Sequence, residues 1–310
     1  VRTSLALILP FAPALLGALA GCVSLRPFDA VRREVPAGQF VQVGDQLVHV
    51  EQAGTGEPVV LLHGFGASAY SWRKVMPGLA AGNRGHRVVA IDLNGFGYTQ
   101  RPRERARYTR EAQAKLVLDT LDALGIARAH IIGHSYGGGL TLYLAQTHPE
   151  RFRTMILVDS SAPTYANDRR SRAAAFRPLT TFFVRTVALR RSMVRKGLLH
   201  SFYDHSLVTP ELVEAYYERL RIEGAPDAFY GLTAPAPAGA TVRLETIAVP
   251  ALVIWGAHDE LIAPEVGRRA AKRLPHAEFV LFDKSGHLPM EEEPEAFLAA
   301  VLPFLDRHTG

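Results

Sequence analysis

The sequence predicts an α/β protein: a mostly parallel central sheet flanked by helices, with a helical cap inserted between two of the strands. Three observations carry that expectation. From Pro58 onward, short runs that are apolar throughout alternate with stretches of helical apolar spacing, the pattern of parallel strands covered on both faces. The alternation stops after Asp159 and restarts at Val249-Pro250. The chain has 310 residues, 48% hydrophobic and 21% charged, enough for one large domain with a sizeable core.

Taken in order, Arg2 precedes an uncharged apolar run from Leu5 to Gly21, interrupted by Pro10 and Pro13 and rich in small residues near its end. Residues 1–21 read as a signal peptide. Leu19-Ala20-Gly21-Cys22 resembles the lipobox of bacterial lipoproteins, and Cys22 is the one cysteine of the chain. The resemblance implies lipidation at Cys22, an extracytoplasmic location and a lipid anchor in a bacterial membrane, at the outer membrane or its periplasmic side. An uncleaved N-terminal anchor is the second reading. With one cysteine, neither an intrachain disulfide nor a thiolate metal cluster can form. Residues 22–39 read as a tether.

Phe40–Val43 and Gln46–Val50 around Gly44-Asp45 read as a hairpin. The expected strands are Val59–Leu62, Val88–Ile91, Ile131–Ile132, Met155–Val158, Leu252–Trp255 and Phe279–Phe282, and the expected helices are Tyr108–Leu124, Gly137–Gln146, Pro264–Leu274 and Pro294–Leu305. The core then comprises 40–161 and 245–310, with a cap insertion over 162–244.

The chemistry starts at Gly133-His134-Ser135-Tyr136-Gly137, a G-x-S-x-G between an expected strand and an expected helix. A serine forced into such a turn exposes its hydroxyl above the sheet. It needs a base, since a serine hydroxyl is a poor nucleophile at neutral pH. Of the 12 histidines, His287 follows the last strand, at the same sheet edge as Ser135. Asp259 lies just past the strand ending at Trp255-Gly256 and is the preferred acid to orient the imidazole, with Glu260 and Asp159 as rivals.

These residues resemble the α/β-hydrolase fold family. Gly286-His287 with Glu292 and Pro294 matches its G-H-x-x-x-x-E-x-P segment, and His63-Gly64-Phe65-Gly66 matches its oxyanion loop. The order Ser135, Asp259, His287 is the order of that fold. The resemblance implies an oxyanion hole from the backbone N–H groups of Phe65 and Tyr136, with His63 structural. Asp92, Gly95 and Gly97 match a further family segment and read as turn chemistry. Aspartate stands where Ser135 does in haloalkane dehalogenases and most epoxide hydrolases, which argues against both. Carbon–carbon bond hydrolases favour Asn before the serine, so His134 and Tyr136 look closer to esterases, lipases and thioesterases. The expected function is therefore a serine hydrolase of carboxylic esters or thioesters, with no cofactor and no metal. A carbon–carbon bond hydrolase, a cofactor-free perhydrolase and a non-catalytic envelope binding protein are the alternatives.

Two features of the cap remain. Leu179, Phe182, Thr186, Leu189 and Met193 recur at helical spacing, a stripe for packing or for an apolar pocket. From Arg169 to Tyr203 there are eight arginines and Lys196 with no Asp or Glu, either a solvated face or a surface for anionic lipid. The net charge of +5 comes with no zinc-finger, RNP or helix-turn-helix pattern, and no nucleic-acid partner is expected. The expected partners are a small-molecule ester and the membrane.

Overall fold

The computed structural model describes residues 23–36, 39–82, 85–161, 177–233 and 241–309. The expected signal segment and Cys22 lie outside them. Helix α1 (Phe28–Glu34) precedes the hairpin of β1 (Phe40–Val43) and β2 (Gln46–Ala53). Then come β3 (Glu57–Leu62), α2 (Met76–Ala81), β4 (His86–Ile91), α3 (Arg110–Ala123), β5 (Ala129–His134), α4 (Tyr136–Thr147) and β6 (Phe152–Val158). The cap supplies α5 (Arg177–Phe183), α6 (Arg191–Ser201), α7 (Pro210–Leu220) and α8 (Ala225–Thr233). The sheet resumes with β7 (Ala251–Gly256), α9 (Pro264–Arg273) and β8 (Ala277–Phe282), and α10 (Pro289–Glu292) and α11 (Pro294–Arg307) close the chain.

Among the described residues the sheet has eight strands in the order β1-β2-β4-β3-β5-β6-β7-β8. β2 pairs antiparallel with both β1 and β4, and every other pairing is parallel. Side chains alternate across each strand. Val60 and Leu62 of β3 join one buried cluster with Ile131, Leu157 and Trp255, while Val59 and Leu61 join another with Ile132, Ile156 and Ile254. Both faces are dry, which is why these strands read as unbroken apolar runs. Local chemistry starts the helices: Thr109 accepts from Ala112 N at the head of α3, and Thr209 accepts from Leu212 N before Pro210 opens α7.

Two expectations change. Within the expected tether, Val23–Phe28 is fastened to the cap and leads into helix α1. Val23 N donates to Arg185 O at 2.8 Å, Arg26 N to Arg221 O at 2.8 Å, and Glu223 N to Arg26 O at 2.8 Å. Val23 and Leu25 also pack on Val184, Leu189 and Ala225. The apolar stripe of the cap is broken as well. Val184–Ala188 is a π-helical turn, and a new helix starts at Arg191 after an extended Arg190. The wider turn shifts the helical phase, so Thr186 and Leu189 are buried while Phe182 and Met193 are exposed.

Candidate active site

The Ser135 turn is made by two close backbone approaches. β5 ends at His134 and α4 begins at Tyr136, leaving Ser135 alone at the turn with φ 49° and ψ −113°. Such a conformation costs a non-glycine residue about 1–3 kcal/mol and persists only where the surroundings enforce it. Here Ser135 N donates to Val158 O at 2.9 Å, and Ser135 O accepts from Gly139 N and Ser161 N. A Cβ at Gly133 would lie 2.5 Å from Gly137 O, and one at Gly137 would lie 2.4 Å from Leu62 O. Only glycine lets strand, turn and helix pass this closely.

The loops after β7 and β8 bring the next two residues together. Asp259 Oδ2 accepts from His287 Nδ1 at 2.7 Å, and both residues are buried. Asp259 Oδ1 accepts from Leu261 N at 2.8 Å and Ile262 N at 3.0 Å. The carboxylate is thus fully committed. Glu260, a rival acid in the sequence, points outward and pairs with His200 at 3.2 Å.

Asp159, the other rival, stands beside this pair. One carboxyl oxygen each from Asp159 and Asp259 and one ring nitrogen of His287 all lie within 4.8 Å of one another. Three such groups resemble a cation site, yet His287 Nδ1 and both carboxyl oxygens of Asp259 are already bonded. Asp159 Oδ1 accepts from Gly256 N at 2.9 Å. Burial, with the Asp259 carboxylate alongside, pushes the Asp159 carboxyl well above the usual carboxylate range. Two adjacent buried carboxyls resist ionising together, so Asp159 holds a proton beside the carboxyl that is bonded to His287.

His134 was no more than a flanking residue in the sequence, yet it touches the site. Its Nε2 donates to His287 O at 2.7 Å and its ring lies 4.8 Å from that of His287. Burial and the neighbouring His287 depress its pKa well below normal, so it stays neutral. Glu292 has a similar holding role. It accepts from Gly286 N at 2.7 Å, Tyr203 N at 2.7 Å and Asp204 N at 3.0 Å, joining the His287 loop to the end of α6. His287 N itself donates to Ser201 O at 2.7 Å. The cap and the His287 loop are therefore fastened together.

The Phe65 loop faces Ser135: a Cβ at Gly64 would come within 3.2 Å of Ser135 Cβ. His63 holds that loop. Its Nδ1 donates to Gly64 O at 2.7 Å while Nε2 accepts from Leu93 N at 3.1 Å. Burial lowers its pKa, which keeps this neutral tautomer. The Phe65 and Tyr136 rings lie 6.4 Å apart, closing one side of the site. Asp92 braces the turn behind it, accepting from Ala69 N at 2.6 Å and Tyr98 N at 2.7 Å and pairing with His49 at 2.7 Å. Burial opposes its ionisation, but His49 and these amide bonds outweigh it and hold the carboxyl well below its usual range. An apolar cleft of about 550 Å³, open to solvent, runs from Phe65 and Phe96 under the cap to Val184, Leu189, Phe229 and Leu232. Every residue lining it is apolar.

A family profile described as alpha/beta hydrolase fold matches residues 57–294. The chain belongs to the α/β-hydrolase fold family. It is 31% identical over 270 residues to a 2-hydroxymuconate semialdehyde hydrolase of Pseudomonas sp., covering 83% of this chain and 89% of the relative. Among solved structures, a meta-cleavage product hydrolase from Pseudomonas fluorescens superposes with a TM-score of 0.73 at 28% identity, covering 88% of this chain and 98% of the other. A thermophilic esterase from Thermogutta terrifontis gives 0.71 at 25% identity, covering 87% and 98%. This chain is a hydrolase, and its curated relatives are in the main carbon–carbon bond hydrolases. The expectation of an esterase, drawn from the residues flanking Ser135, ranked these two chemistries the other way round.

Proposed function

We propose that this hydrolase cleaves a carbon–carbon bond beside a carbonyl group, through an acyl-enzyme on Ser135. The observation that carries the catalytic part is the 2.7 Å bond between Asp259 and His287 at the sheet edge that presents Ser135. The choice of bond rests on the relatives. Ser135 Oγ attacks the carbonyl while His287 Nε2 takes its proton, and Asp259 holds the tautomer and offsets the imidazolium charge. The oxyanion forms against the backbone N–H groups of Phe65 and Tyr136. Collapse breaks the bond to carbon, whose electron pair is held as an enolate and then takes the proton from His287. Water, activated by the same base, releases the acid and restores Ser135.

A second reading, ester hydrolysis, uses the same steps with an alcohol as leaving group. The wholly apolar lining of the cleft favours it, because a dienoate substrate carries a carboxylate and no cation lines the cleft among the described residues. The deciding experiment compares kcat/KM for 2-hydroxy-6-oxohepta-2,4-dienoate with that for 4-nitrophenyl butyrate and octanoate, on wild type and Ser135→Ala. Preference for the dienoate by more than about tenfold supports carbon–carbon cleavage, and the reverse assigns an esterase. Undiminished turnover by Ser135→Ala on either substrate rejects both.

A further inference from the structure

One face of the cap is at odds with an ordinary wet surface. Phe182 is 50% exposed, Phe183 45%, Val187 37% and Met193 41%, all on the run from α5 through the π turn into α6. Single exposed apolar residues are common, but several large ones on successive turns mark an interaction surface. The same run exposes Arg190, Arg195 and Lys196. No Asp or Glu occurs from Arg177 to Tyr203. Arg191 is the exception among the cations, being committed to Glu214 on α7. Protruding apolar groups edged by unopposed cations fit the boundary of an anionic bilayer, where rings enter the acyl region and cations meet headgroups.

An independent observation points to the same face. The π turn leaves the Arg185 carbonyl free of its helical partner, and Val23 N fills it at 2.8 Å. Residue 23 is thereby pinned within one turn of Phe182, Phe183 and Val187. The ladder continues through Arg26, bridged to Ile222 and paired with Glu218. Val23, which follows the uncharged apolar run 5–21 and Cys22 in the sequence, is therefore fixed at the cap. Either expectation for that segment, lipidation at Cys22 or retention of the run as an anchor, would tie Val23 and the adjoining cap face to lipid.

We infer that the α5–α6 face of the cap docks on an anionic lipid surface, turning the apolar cleft toward substrate carried in that surface. The cleft shares this element, through Val184, Ala188 and Leu189. A series of rings joins the two: Phe183 lies 6.4 Å from Phe229, which lies 6.3 Å from Phe65 in the oxyanion loop. The inference does not depend on which bond is cleaved.

The test uses the full chain reconstituted in vesicles, with a fluorescent reporter at one site. Native Trp72 and Trp255 are fully buried and give a constant background. Val187→Trp reports the cap face, and Lys115→Trp reports an exposed position on α3, which packs on β1. Brominated phosphatidylcholine is the quencher, with or without about 30% phosphatidylglycerol, and circular dichroism checks folding of each variant. Val187→Trp is expected to be quenched in anionic vesicles and Lys115→Trp not. Each cation near an anionic surface contributes about fivefold in partitioning, so Arg190→Gln, Arg195→Gln and Lys196→Gln together should weaken docking by on the order of 100-fold. Quenching should fade in high salt as the field is screened. Flotation with the vesicles but no quenching of Val187→Trp overturns the inference, as does equal quenching at both positions. So do equal quenching in neutral and anionic vesicles and failure of the chain to float with them.

Discussion

Replacing Asp259 by Asn tests the electrostatic core of the site with almost no change of shape. The two backbone donors, Leu261 N and Ile262 N, sit at 2.8 and 3.0 Å from Oδ1. They require an acceptor there. Turning the amide to oppose them with its NH2 group would cost at least about 2 kcal/mol, since two buried donors would lose their partner. The Asn oxygen therefore stays with the backbone, and its NH2 group points at His287 Nδ1, where Asp259 Oδ2 now accepts at 2.7 Å. His287 answers by moving its proton to Nε2, the nitrogen that must take the proton of Ser135. The expected loss is on the order of 10⁴ in kcat, about 5 kcal/mol of barrier, with little change in KM or in thermal stability. Asp159→Asn is the matched control. That carboxyl is held neutral, and an amide can keep its bond from Gly256 N, so activity should stay within about tenfold of wild type. Steady-state kinetics on the preferred substrate measure both. A near-silent Asp259→Asn beside a dead Asp159→Asn would refute the reasoning and reassign the acid.

Ser135→Ala and His287→Ala should each cost on the order of 10⁶ in kcat, and Ser135→Ala should abolish covalent labelling by a fluorophosphonate, read by intact-mass spectrometry. Gly137→Ala places a methyl group 2.4 Å from Leu62 O and should destabilise the fold by about 1–3 kcal/mol or more in urea titrations, with loss of activity. Acid should destabilise the protein through His130. Burial, with His86 and Arg153 adding repulsion, lowers its pKa to about 3, below the ~6.5 of an unfolded chain. The unfolded state then binds the proton first, so this contribution is whole above about pH 6.5 and is lost progressively as pH falls toward 3. His130 should contribute about 1 kcal/mol per pH unit to this slope, and His130→Asn should reduce the slope by that share while His63 and His134 keep theirs.

The parts of the site legible in the sequence are those whose signal is local. The strand–Gly-x-Ser-x-Gly–helix register around Ser135 exposes its own reason, because the glycines are needed within two residues of the serine. The strands after Pro58 were legible because both faces of the sheet are buried, so no polar alternation blurs the runs. The helix Phe28–Glu34 was not, since a run of seven residues with Arg32, Arg33 and Glu34 carries little apolar pattern and is held by Phe28 N on Glu223 and the Phe28 ring on Phe40. The stripe through Phe182 and Met193 misled because an ideal helical period was assumed across Val184–Ala188, where a π turn breaks it.

By itself the sequence determined the layer architecture, the chain order Ser135, Asp259, His287 and the apolar run leading to Cys22. The sequence preferred Asp259 over Asp159 through that chain order, and the tertiary structure shows the physical reason for the preference. Asp159 and Asp259 both follow sheet strands. Only in space does one meet the imidazole and two amides, while the other is buried against that first charge and keeps its proton. The structure alone also showed that Val23 is fastened to the cap and that His134 steadies the backbone of His287. These are contacts across 162 and 153 positions of chain. Their strength depends on burial and direction, which a linear pattern does not carry.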